Sequence, residues 1–293
     1  VAVAADRKEE PGSTKRAQLA AELRRIREQR GMSGRELAQH VRISQSKVSR
    51  IESGRTVPTL LEVSAWATAT DVSDEYRELL VATVESVYTE VHSWPVTMQM
   101  RAHIQGEIEE REMHAQVVRV FQSSVVPGLL QTAEYARRTF SMGDMSKSVD
   151  AIADSLAARL RRQQVVYEED RRFDFLLTEA ALRWRPGPVR LMLGQLDRII
   201  SMSTLDNLSI GVIPLDAMAT TFTTHAFVFY DELDDDHDPF VEVEAIHANL
   251  IVNDATNIAL YRERWSQLSE MALFGNDAQA LFAERMAALR AEV

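Results

Sequence analysis

Apolar positions recur at helical spacing through the first ninety residues. Leu19, Leu23 and Ile26 fall at i, i+4 and i+7, which predicts a helix over about Lys15–Arg30 that ends at Gly31. Ser33 has Glu36 three residues on, the pattern of a capping box, so a second short helix begins there with Leu37, Ala38 and Val41 on its inner face. Arg42-Ile43 reads as a break. Ser44 then caps a third helix over Gln45–Ser53, and Gly54 stops it. Thr56-Val57-Pro58 is a turn. Thr59 opens a fourth helix with Leu60, Leu61, Val63 and Trp66 as core candidates, and a fifth runs from Asp71 or Ser73 to about Val91. Two capped helices separated by a tight break, inside a five-helix domain over residues 15–90, form a helix-turn-helix arrangement.

The pattern changes after Trp94-Pro95. Met98–Val120 reads helical, with Met100, Ile104, Ile108, Val117 and Val120 apolar, so residues 91–120 are expected to form a linker helix. Pro127-Gly128 is a turn, Leu129–Phe140 a helix, and Val149–Asp170 a long helix. FDFLLTEAAL looks like a strand entering a turn or helix, and Pro188–Thr204 is helical. Leu208–Pro214, Thr223–Tyr230 and Phe240–Val252 alternate or run apolar like strands. Two helices close the chain, about Asp254–Phe274 and Asn276–Arg290. The expected fold class is therefore α+β: an all-α head, then a mixed α/β domain over 121–293 with a sheet of four to five strands.

Charge divides the chain at about the same place. The first 70 residues hold 13 of the 33 Lys+Arg and 8 of the 44 Asp+Glu; the rest hold 20 against 36. A basic head on an acidic body suggests that the head meets a polyanion and the body does not. There is no Cys, which excludes disulfides, thiolate metal sites and Cys nucleophiles and fits a cytoplasmic location. No uncharged apolar run approaches the ~18 residues of a membrane span. Residues 1–14, VAVAADRKEEPGST, lack the basic and apolar regions of a signal peptide and are expected to be a flexible tail.

The third helix carries the chemistry. With Val48 and Ile51 facing the core, Gln45, Ser46, Lys47, Ser49 and Arg50 face outward, as a helix entering the major groove requires. Gln pairs with adenine in two-bond fashion, and Arg or Lys with guanine. Ser33, at the start of the second helix, and the cations Arg35 and Arg55 are candidates for phosphate contacts. A single such head reads a half-site, so an inverted-repeat operator on double-stranded DNA and a homodimer are expected.

LRRIREQRGMSGRELAQHVRISQSKVSRIESGRTVP resembles the XRE, or phage-repressor-like, helix-turn-helix family, over residues 15–80 or so. The resemblance implies base reading by Gln45, Ser46, Ser49 and Arg50. It also implies a structural pair between Arg27 of the first helix and Glu52 of the third. Where that family usually has Gly after the second helix, this chain has Arg42, which must take a left-handed backbone there. VVPGLLQTAEYARR resembles the hallmark of a C-terminal domain of unknown function that actinobacterial XRE regulators carry directly after the helix-turn-helix. LAARLRRQQ, FLLTEAALRW, NLSIGVIPL and YRERWSQLSEMAL match it as well. That resemblance implies an antitoxin-like regulator, often encoded beside a small partner protein.

Other features carry less. His92, His103 and His114 are eleven residues apart, a helical rise of about 16 Å, too far to share a metal. DELDDDHD (Asp231–Asp238) lacks the Gly and distal Glu of a calcium loop and reads as a solvated hairpin loop. Arg159, Arg161 and Arg162 read as charge paired within the chain or solvated. No hydrolase, zincin or phosphate-loop motif occurs, so neither catalytic residue, metal ligand nor cofactor is expected. The expected function is a cytoplasmic DNA-binding transcriptional regulator whose C-terminal domain dimerises and senses a small molecule or a small protein. Two alternatives stand beside it: an antitoxin-like module that mainly holds a small partner protein, and an enzyme delivered by the head.

Overall fold

The computed structural model describes residues 15–93, 114–143, 149–233, 238–246 and 248–292. The chain divides into two compact units, the first built from the N-terminal residues together with 234–240 and 245–257, the second from the remainder. The expected tail over 1–14 and most of the expected linker helix, residues 94–113, lie outside the described residues.

The first unit is a helical bundle: α1 (Lys15–Gln29), α2 (Gly34–Val41), α3 (Gln45–Glu52), α4 (Leu60–Ala69) and α5 (Asp74–Tyr88). Leu19, Leu23 and Ile26 of α1 meet Leu37 and Val41 of α2, Val48 and Ile51 of α3, Val63 and Trp66 of α4, and Leu80, Val84 and Val87 of α5. Trp66 is wholly buried, and its indole N–H donates to the Leu23 carbonyl at 3.2 Å, so the largest core side chain leaves no polar atom unpaired. The fifth helix was expected to reach about Val91. Instead α5 stops at Tyr88 and residues Thr89–Ser93 form β1, antiparallel to β7 (Ala248–Val252), with Thr89 opposite Val252. A β-branched segment takes its hydrogen bonds from a strand far along the chain, and helical periodicity cannot register such a partner.

The second unit is built on a sheet with the strand order β6-β5-β2-β3-β4. Its strands are β2 (Ala115–Gln122), β3 (Arg172–Thr178), β4 (Leu208–Ile213), β5 (Phe227–Leu233) and β6 (Phe240–Glu244). β2, β3 and β4 run parallel, and β5 lies antiparallel to β2. The fold class is α+β. The helices of this unit are α6 (Ala133–Gly143), α7 (Val149–Arg162), α8 (Glu179–Arg183), α9 (Val189–Met202), α10 (Ala255–Glu270) and α11 (Gly275–Arg290).

Further expectations need correction. Residues 115–120 are strand, not the end of a linker helix. As a central strand β2 is covered on both faces, so Ala115, Val117, Val118, Val120 and Phe121 are all buried and the run loses the alternation that would mark it. The apolar run over 240–252 is two strands, parted by a turn in which the Ala245 N–H meets the Ala248 carbonyl at 2.8 Å. The long helix over 149–170 ends at Arg162 and tightens into a 3-10 segment, Gln163–Tyr167. Of the acidic stretch, Asp231 and Glu232 belong to β5, Asp231 being buried, while residues 234–237 lie outside the described residues.

Candidate nucleic-acid interface

The turn between α2 and α3 is set by local chemistry. Ser33 caps α2: its hydroxyl accepts from the Glu36 N–H at 3.2 Å, and the Glu36 carboxylate returns to the Ser33 N–H at 2.8 Å. That backbone hydrogen bond holds the Glu36 carboxyl below its usual range. Arg42 adopts the left-handed conformation, φ 62°, which lets the Ile43 N–H reach the Ala38 carbonyl at 3.0 Å. Ser44 then caps α3 by accepting from the Lys47 N–H at 3.1 Å.

Val48 and Ile51 are buried, so the opposite face of α3 is fixed by the 3.6-residue period. Gln45, Ser46 and Ser49 are exposed there and Arg50 is half-buried beside them. The Arg50 guanidinium has no hydrogen-bond or ion-pair partner among the described residues. Its backbone is held instead, the Arg50 carbonyl accepting from the Arg55 and Thr56 N–H groups at 2.9 and 3.2 Å. The fifth expected reader, Lys47, is placed differently. Its ammonium donates to Glu62 at 2.8 Å, and the other oxygen of Glu62 caps α4 through the Thr59 N–H at 2.9 Å. One carboxylate thus closes a capping box and ties α3 to α4. The Thr59-Leu60-Leu61-Glu62 spacing signals the box in the sequence; the tie to Lys47 depends on tertiary placement.

Behind the helix, Arg27 donates from two nitrogens to Glu52, one bond at 2.9 Å, and from a third to the Met32 carbonyl at 2.8 Å. Both side chains of the pair are only 12% exposed. The hydrogen bond to Glu52 raises the Arg27 guanidinium above its usual range. Arg27 therefore clamps α1 to the end of α3 and to the loop before α2. Arg16, absent from the sequence reading, donates to the Arg55 carbonyl and so anchors the loop that follows α3. Arg35 and Arg55 are exposed. At Ser33 the backbone N–H is already taken by Glu36, so what remains for a phosphate there is the hydroxyl proton.

In the second unit the PGLLQT stretch is the centre of a buried amide knot. Gln131 donates to the Val126 carbonyl at 2.8 Å. Gln163 donates to the Gly128 and Gln131 carbonyls at 2.8 and 2.9 Å. Gln195 donates to Leu130 at 2.7 Å and accepts from the Thr132 N–H at 2.8 Å. Arg159 donates to the Gln131 side chain at 3.1 Å and lies 4.9 Å over the Phe140 ring. A Cβ on Gly128 would fall 2.5 Å from the Arg159 guanidinium, so a larger residue there would push that arginine off Gln131. The motif thus holds a 3-10 turn, α7 and α9 together.

Residues 18–80 match the family described as "Helix-turn-helix domain", and residues 105–284 match the family described as "Domain of unknown function (DUF5753)". No curated protein matches. Among solved structures, the crystal structure of the clp gene regulator ClgR from C. glutamicum is 28% identical over 25% of this chain and 95% of that one, with a TM-score of 0.23.

Proposed function

This chain belongs to the family of the DUF5753 domain of unknown function, with a helix-turn-helix domain ahead of it, and from that premise we propose that it is a sequence-specific transcriptional regulator of the XRE type. The observation that carries the reading is the outward face of α3. Gln45, Ser46, Ser49 and Arg50 stand together on a helix pinned by a cap, by Lys47–Glu62 and by Arg27–Glu52. Those four side chains read base edges, with Arg50 suited to guanine and Gln45 to adenine. Arg35, Arg55 and the Ser33 hydroxyl contact phosphates and set the register. Lys47 positions α3 rather than reading a base. Two heads related by two-fold symmetry bind an inverted repeat, and the second unit dimerises and receives the signal. No enzymatic role enters this reading. Among the described residues no helix is long and apolar enough to cross a membrane.

The test is fluorescence anisotropy of the full chain on the DNA upstream of its own gene and on a scrambled duplex, across a salt series. A preference of about a thousandfold or more, with affinity falling steeply as salt rises on both duplexes, is the expected result. Equal binding to both duplexes in the presence of intact, folded protein contradicts specific readout at that operator.

A further inference from the structure

A chain of five alternating charges crosses the sheet of the second unit. Arg172 on β3 donates to Asp174 at 3.0 Å, and Asp174 lies 3.6 Å from Arg119 on β2. Arg119 in turn donates to Asp231 on β5 at 2.5 Å, and Asp231 accepts from Arg262 on α10 at 2.8 Å. Strand register assembles the row, with Arg119 directly opposite Asp174 on one side and Phe229 on the other. Arg119 and Arg262 both lie over the Phe229 ring, at 5.8 and 5.2 Å.

The row borders a cleft of about 340 Å³ whose wall includes Trp265, one turn along α10 from Arg262. Both aspartates are buried, and each is shared between two arginines. Three guanidiniums thus face two carboxylates, an excess of one positive charge in the part of the chain where acidic residues outnumber basic ones. The two outer arginines are the exposed ones, at 66% and 49% of their side chains. Arg172 makes its hydrogen bond through Nε and Arg262 through one terminal nitrogen. Their other donors, and the Trp265 indole N–H, have no hydrogen-bond partner among the described residues. Unspent guanidinium donors beside an aromatic wall are suited to a flat molecule that carries an anionic group.

We propose that this cleft binds a small aromatic anion, its charged group held by the outer donors of Arg172 and Arg262 and its ring against Trp265. Arg119 and the two aspartates keep the outer arginines in place and do not touch the ligand. The proposal deepens the sensing part of the reading above by giving it a site and a chemical class. Its test measures occupancy without DNA, so a failure here is distinct from a failure of operator binding.

The experiment follows the fluorine spectrum of 4-fluorobenzoate as the full chain is added, with 4-fluorophenyl phosphate as a second anion and 4-fluorobenzamide as the neutral isostere. Saturable broadening of at least one anion is expected at a dissociation constant of about 1 mM or below, with the amide about tenfold weaker. Which anion is tighter separates a carboxylate ligand from a phosphate ester. Arg172→Gln should weaken the anion about tenfold with unchanged melting, because Arg172 is on the rim and Asp174 keeps Arg119. Should that variant melt early, Arg172→Lys keeps the charge without the fork and is expected to bind with intermediate affinity. Absence of saturable binding by either anion, equal binding of the amide, or unchanged binding in both Arg172 variants overturns the proposal.

Discussion

On α3 the Arg50 guanidinium stands half-buried with no side-chain hydrogen bond or ion pair to any described residue, whereas Arg119 in the second unit is wedged between the carboxylates of Asp174 and Asp231. The same residue type does opposite work. In the head, Arg27, which is spoken for, lies behind the recognition helix, and Arg50, which is uncommitted, lies in front. In the second unit Arg119, Arg159 and Arg183 are all engaged by neighbours within the unit. Net charge alone therefore says little about which arginines meet a partner. What distinguishes them is how much of the fork a carboxylate or carbonyl already occupies.

The contrast can be broken by substitution. Arg119→Ala should have the largest effect, since it strips buried Asp174 and Asp231 of a shared cation. A loss of about 3 kcal/mol is expected, since each aspartate keeps only its more exposed outer arginine, read by urea unfolding, and a change within error would show the row to be dispensable. Arg27→Ala comes next, at about 2–3 kcal/mol, with the head melting earlier. Lost DNA binding at unchanged melting would place Arg27 in front of the helix after all. Arg50→Ala should leave melting unchanged and weaken discrimination between the correct and a wrong base by about 1–3 kcal/mol; equal losses on specific and random duplexes would remove it from the readout set.

The smallest effect is a pH dependence. Burial, with Arg264 nearby, pushes the His225 imidazole below its usual range, where its Nε2 lies 3.2 Å from the Tyr261 hydroxyl. The unfolded chain then binds a proton more readily than the folded one. Stability from this group is complete above the ordinary histidine value near 6.5 and is lost as pH falls through that value toward the folded one. The site is partly solvated, so the loss between pH 7.5 and 5.5 should be under about 1 kcal/mol. His225→Gln should flatten the difference, measured as melting temperature against pH.

Much of the head was legible because its signals are local. Ser33 with Glu36, Ser44 before Gln45, and the apolar spacing of α1 each act within one or two turns, and the structure shows both caps as hydrogen bonds. The second unit was legible in class and less so in detail. β2 is buried on both faces, which erases the period that separates strand from helix. The Lys47–Glu62 tie and the row from Arg172 to Arg262 exist only once α4 has packed and the strands have taken register, so no spacing in the sequence announces them. The PGLLQT motif was visible as a pattern, but its meaning, three glutamines satisfying one turn of backbone with an arginine bracing Gln131, was not.

The pairing of β1 with β7 has a consequence for biosynthesis. The hydrophobic core of the bundle is complete in the chain by Val87, yet Thr89 pairs with Val252. At a translation rate of about 5–20 residues per second, roughly 8–30 s pass between the two leaving the ribosome. For that interval the nascent first unit has its helices but not the partner strand, and the backbone donors and acceptors of Thr89–Ser93 wait for it. An unpaired strand beside a folded bundle is where nascent copies on one message can meet, so the first unit's vulnerable period falls during its own synthesis.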